Sequence, residues 1–140
     1  MKIITFAVIV VLFASFVPIK KSNNSLLEAM CEVESGCNSN AIGDNGNAIG
    51  AYQIWYAYWY DAVTFKDNDE LRLLDGYESC YDKDYSEKVI LAYWERYATL
   101  KRLGRNPTDE DRARIHNGGP NGYKKDSTLK YWRKIQNARR

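Results

Sequence analysis

Glu34 and Asp44 stand ten residues apart, the first beside a helix stop and the second inside the glycine- and asparagine-rich run "GDNGNAIG". Two carboxyl groups can divide acid and base work if their surroundings differ. Breaking a sugar-sugar bond needs this division: one carboxyl group still protonated, to give its proton to the leaving oxygen, and a second one ionised, to stabilise or attack the developing cation. A Glu at the end of a helix packed on a core is partly desolvated, which favours its neutral form. An Asp on a wet, hydrogen-bonded turn stays charged. Glu34 and Asp44 fit the acid and the ionised role in that order. Each residue alone is ordinary, since Asp favours turns for its own backbone bonding. Glu32 lies two positions from Glu34 on the same helix, so it points elsewhere and reads as surface.

The elements that must hold this pair are legible from pattern. "NNSLLEAMCEVESG" carries Asn24 or Ser25 as a cap, Leu26, Leu27, Met30 and Val33 at helical spacing, and Gly36 as a stop, so Glu34 falls in the last turn of a first helix. "AIGDNGNAIG" has two near-identical arms around Asn45-Gly46, a pair suited to the positive backbone angles of a tight hairpin. Asp44 then projects from a small β-hairpin. "AYQIWYAYWYDAV" is aromatic and free of Gly and Pro, which predicts a helix over 51–63, and "DNDELRLLDGYESCYDKD" reads as a loop with one helical turn at most. A central buried helix is expected over 85–104, with Val89, Ile90, Tyr93, Trp94, Tyr97 and Leu100 as its apolar stripe and Gly104 as its end. Pro107-Thr108 caps "DEDRARIHNGG", whose three leading acids suit the positive end of a helix dipole. "STLKYWRKIQ" closes the chain with Leu129, Trp132 and Ile135. The fold class is α+β, mostly helical with one small β-hairpin.

The 140 residues, 45% of them hydrophobic, allow one core of ordinary size and one domain, placed at 22–140. Residues 1–18, with Lys2, an apolar run and then small residues, read as a secretory signal peptide, cleaved between Ala14 and Lys20. The expected product is secreted and extracellular, with no stable membrane anchor. Export makes disulfides the default for nearby thiols, so Cys31 and Cys37 are expected to close a small ring around Glu34. Cys80 is left over, either buried as a free thiol or paired with another chain. Asn23-Asn24-Ser25 is an N-glycosylation sequon. The net charge of +2 hides a split: 101–140 carries 12 Lys and Arg against 4 acids, and 22–100 carries 5 against 14. A basic end of this kind is either a solvated helix face or a steering surface for an anionic polymer such as a bacterial wall or nucleic acid.

Gln53 and Tyr58 follow the hairpin and are expected to flank the same groove. His116, the only histidine, and Asn117 are placed in its wall next to the Gly118-Gly119-Pro120 turn. Direct chemistry is not assigned to His116, because a lone His at a helix end more often donates to a carbonyl. Trp59 is read as core. Three scattered cysteines and one His give no metal spacing, and no cofactor motif is present.

The order "CEVESGC", "GDNGNAIGAYQI", "YWYDA", "RYAT", "ARIHNGGPNG" and "TLKYW" resembles the invertebrate-type lysozyme family, also called the destabilase family, from Cys31 to Trp132. The resemblance implies a lysozyme-like domain that cleaves the β-1,4 bond between N-acetylmuramic acid and N-acetylglucosamine in bacterial peptidoglycan, in defence or digestion. It implies Glu34 as general acid and Asp44 as the second carboxylate. No nucleic acid partner is then expected. The chain departs from the family in its cysteine count, with Ala62 and Ile49 at two positions where the family commonly has Cys. Some members also carry an isopeptidase activity attributed to a serine and a lysine; here the lysine position is Trp55 and the turn "NGNAI" has no serine, so nucleophile and amine base are both absent. Two other readings remain open: a lytic transglycosylase, which needs only the Glu, and a non-catalytic protein that binds wall glycans or kills through its basic end.

Overall fold

The structure, a computed structural model, describes residues 22–65, 71 and 76–140. The expected leader and the side chains of the Asn23 sequon lie outside the described residues. Helix α1 (Ser22–Ser35) buries Leu26, Leu27, Met30 and Cys31 in the core. It stops where expected. Gly36 and Cys37 both take left-handed angles, φ +64 and +58, and their N–H groups bond back to the carbonyls of Glu32 and Cys31 at 2.9 and 3.1 Å. The Cys31–Cys37 disulfide clasps that turn, with 4.7 Å between the two Cα atoms. Glu34 is therefore fixed in direction by a helix end that is capped and cross-linked.

Three two-residue strands follow, β1 (Ile42–Gly43), β2 (Ala48–Ile49) and β3 (Ile54–Trp55), in the antiparallel order β1-β2-β3. Ile42 pairs with Ile49 and Ala48 with Trp55. The first two strands are the expected hairpin, but its turn spreads positive φ over Asp44, Asn45 and Gly46 (+47, +56 and +93) in a 3-10 turn. The third strand corrects the helix expected over 51–63. The chain reverses at Gly50, whose φ of +76 and whose approach to Cys80 exclude a side chain: a Cβ there would lie 2.0 Å from the Cys80 carbonyl oxygen. Ile54-Trp55 then pairs with β2, and helix α2 (Tyr56–Val63) begins only after it.

Helix α2 packs Trp59, Ala62 and Val63 against α3 (Lys83–Tyr97). The Trp59 indole N–H donates to the Tyr85 hydroxyl at 2.8 Å, which donates to the Leu71 carbonyl at 2.7 Å, so Trp59 is core as read from sequence. The central helix is shorter than its apolar stripe suggests. Val89, Ile90, Tyr93 and Trp94 are buried, but the helix ends at Tyr97, and Thr99 caps a separate short helix α4 (Leu100–Leu103) through the Arg102 N–H. Leu100 is exposed as a result. Gly104 ends α4 in the left-handed region.

Helix α5 (Asp109–Gly118) starts on a capping box between Thr108 and Asp111. The buried Asp111 carboxylate also receives the Arg105 guanidinium at 2.5 and 2.8 Å. Helix α6 (Leu129–Ala138) packs on α1 and α5 through Tyr131 and Ile135, while the expected contacts Leu129 and Trp132 are only half-buried. Cys80 is a buried free thiol. Among the described residues no helix is long and apolar enough to cross a membrane.

Candidate active site

The end of α1, the hairpin turn, the start of α2 and the end of α5 enclose a cleft of about 390 Å³. Glu34, Asp44, Gln53, Tyr58, His116 and Asn117 all line it. The two acids sit in different surroundings. Glu34 is only 18% exposed at its side chain, and its Oε1 lies 3.6 Å from Nε2 of the buried His116. The other imidazole nitrogen, Nδ1, is 3.2 Å from the Tyr58 hydroxyl. Burial, then the neighbouring Tyr93 and the charge of Glu34, hold the Tyr58 phenol well above its ordinary value, so it keeps its proton. When Tyr58 donates to Nδ1, an Nε2–H faces Glu34; in the other tautomer a lone pair does. The ring can thus face either an ionised or a protonated Glu34. Tyr58 is itself locked by stacking on Tyr93, with ring centroids 3.6 Å apart and 15° between the planes.

Below Glu34 lies the Tyr131 ring of α6. Its hydroxyl is buried and faces the Glu34 carboxyl group, and burial followed by the Glu34 charge keeps this phenol neutral. Glu34 is therefore walled by two phenols and an imidazole.

Asp44 stands exposed on its turn, with φ +47, a conformation that costs a non-glycine residue about 1 kcal/mol or more. Its carbonyl accepts from the Asn47 backbone and side chain at 3.2 and 2.8 Å. Its carboxylate Oδ2 accepts from the Trp55 indole N–H at 3.1 Å. Gln53, likewise left-handed at φ +49, bonds the Gly50 carbonyl through Nε2 at 3.0 Å. Gly43 makes room for it: a Cβ there would sit 2.0 Å from the Gln53 Oε1.

Trp55 and Asp61 are lining residues with polar contacts that the sequence does not mark as site residues. In sequence Trp55 stands only as the replacement of a lysine, and its bond to Asp44 depends on the third strand. Asp61 is a third carboxylate, but it is occupied: its Oδ2 accepts from the Tyr97 hydroxyl at 2.8 Å, and Arg96 donates to its carbonyl at 2.7 Å. No periodicity signals either contact. Among the described residues no serine, lysine or cysteine lines the cleft, and no group of three or more His, Cys, Asp or Glu side chains is gathered for a metal.

The family model described as Destabilase matches residues 23–138. The invertebrate-type lysozyme of Ruditapes philippinarum is 39% identical over 127 residues, covering 86% of this chain and 84% of that one. Lysozyme 1 of Crassostrea virginica is 35% identical over 114 residues, covering 79% of this chain and 56% of that longer one. The crystal structure of Meretrix lusoria lysozyme in complex with Aeromonas hydrophila PliI superposes with a TM-score of 0.67 at 34% identity, over 81% of this chain and 87% of that one. Sequence motifs, fold and comparisons agree, and the chain belongs to the destabilase family, the invertebrate-type lysozymes.

Proposed function

We propose that this protein is a secreted muramidase, a glycoside hydrolase that cleaves the β-1,4 bond between N-acetylmuramic acid and N-acetylglucosamine in bacterial peptidoglycan. One observation carries the reading: two carboxylates line a single cleft, one half-sunk among aromatic rings and the other exposed on a strained, hydrogen-bonded turn. Glu34 gives its proton to the leaving glycosidic oxygen. His116, held by Tyr58, faces the same carboxyl group and limits its rotation. Asp44, held by the Trp55 indole, stabilises or attacks the cation on the sugar, and water completes the hydrolysis. Gln53 and Asn117 offer amide groups to the sugar's hydroxyl and acetamido groups. Family membership supports the assignment, since the relatives are named lysozymes.

A lytic transglycosylase would need the Glu alone, because the muramoyl 6-hydroxyl replaces water; the restrained Asp44 favours hydrolysis. Mass spectrometry of digested peptidoglycan separates the two. Products that carry one added water per cut support the proposal, and 1,6-anhydro products, lighter by one water, refute it.

A further inference from the structure

Helix α2 presents two adjacent stripes at the edge of the cleft. Ala57 and Asp61 line the cleft itself. Tyr56 and Tyr60, each one residue earlier and one helical turn apart, form the neighbouring stripe and are 56% and 53% exposed. Trp55, which lines the cleft and is 47% exposed, directly precedes Tyr56 in the chain. The Tyr56 and Tyr60 rings are 6.2 Å apart with 21° between their planes. Behind them Tyr77 meets the Tyr56 ring edge-on at 5.5 Å and Trp59 meets it at 5.5 Å with a 44° tilt. Tyr77 is in turn anchored to the sheet, donating its hydroxyl to the Ile54 carbonyl at 2.7 Å.

Among the described residues the strip is thus braced on one side and bare on the other. An exposed i,i+4 ring pair adds little to helix stability, so stability does not account for three large rings left in water next to a cleft. Rigid, amphipathic rings give contact area at low entropic cost, and their apolar faces match the C–H face of a pyranose whose hydroxyls remain hydrated. We propose that Tyr56 and Tyr60 form an outer saccharide-binding subsite, beside the cleft-lining Ala57 and Asp61 on the same helix, that holds the part of a β-1,4-linked N-acetylhexosamine chain lying beyond the reacting bond. This deepens the glycan-cleaving reading of the cleft and rests on it for the choice of ligand. The occupant is one continuous chain, because cleft and strip share an edge.

Binding without turnover tests it. In a Glu34→Gln background, N-acetylglucosamine trimer and hexamer are titrated by calorimetry, with and without Tyr56→Ala/Tyr60→Ala. The hexamer is expected to bind more tightly than the trimer, and the double substitution to weaken the hexamer about 10-fold while leaving the trimer within about 2-fold. Tyr56→Phe/Tyr60→Phe should retain the hexamer affinity, which separates ring loss from misfolding. Equal weakening of both ligands, no weakening, or a hexamer that binds no better than the trimer would each overturn the subsite. The outcome is distinguishable from failure of the muramidase reading: length-dependent binding that needs the two tyrosines, in a protein whose wild type cuts no peptidoglycan, keeps the subsite and removes the catalysis.

Discussion

Replacing Trp55 with phenylalanine removes one hydrogen bond and leaves a flat ring in the cleft wall. The bond in question runs from the indole N–H to Asp44 Oδ2 over 3.1 Å. A hydrogen bond to a charged group contributes about 1.5–3 kcal/mol, and the exposed position of both partners argues for a value somewhat below that range, about 1–1.4 kcal/mol. The backbone of Asp44 is already committed by its φ of +47, so the direction of its Cβ is fixed and only the carboxylate's rotation is left for Trp55 to restrain. Without the indole the carboxylate can turn to solvent, and the stabilisation of the sugar cation is lost for that fraction of time. Since 1.36 kcal/mol is tenfold in rate, kcat on peptidoglycan should fall about 5- to 10-fold with KM little changed. Initial rates of reducing-sugar release from purified cell walls measure both, and a thermal melt checks that the fold survives. Full kcat in Trp55→Phe would refute the positioning role; a loss confined to KM would show that Trp55 acts on the substrate instead.

Other consequences can be read as directly. Burial opposes the charge of Asp111, but the Arg105 guanidinium and the Thr108 N–H and hydroxyl outweigh it and hold this carboxyl below the usual range. A carboxyl lowered on folding stabilises above its unfolded value and loses that contribution as pH falls through the folded one. Asp111→Ala should therefore cost roughly 2–4 kcal/mol in denaturant unfolding at neutral pH and clearly less at about pH 2; a constant difference would contradict it. Burial pushes the Cys80 thiol up to about 12, against a smaller opposing pull from Ser86, so a thiol reagent near pH 8 should label native protein far more slowly than unfolded protein. Rapid labelling of the native chain would show the site to be open. With no serine, lysine or cysteine on the cleft wall among the described residues, the protein should release no amine from an ε-(γ-glutamyl)-lysine substrate, and measurable release would refute this.

Local signals carried much of this fold. Gly36 marks the end of α1 because only a left-handed residue can turn the chain there, and Thr108 marks the start of α5 because its hydroxyl is a cap. Both are statements about neighbours in sequence, and both place site residues, Glu34 and His116. What stayed illegible is what distant segments decide. β3 has two residues and no turn signal of its own; it is a strand because β2 offers unpaired backbone groups after the Gly50 reversal. The break between α3 and α4 hides inside an unbroken apolar stripe, since Thr99 caps there as readily as it would sit in a helix. The approach of His116 to Glu34 and of Tyr131 beneath it joins α1, α5 and α6, and no spacing along the chain encodes it. Asp61 is illegible for a related reason: its partners Tyr97 and Arg96 lie on another helix.

The account turns on the two carboxylates acting as a pair, and clearance of a cell-wall suspension by wild type, Glu34→Gln and Asp44→Asn tests that most directly. Wild type should clear the suspension. Glu34→Gln should be slower by about 10²–10⁴-fold, as expected for loss of a general acid, and Asp44→Asn slower by about 10²-fold or more, both with unfolding transitions close to wild type. Clearance at the wild-type rate by either Glu34→Gln or Asp44→Asn would contradict the account.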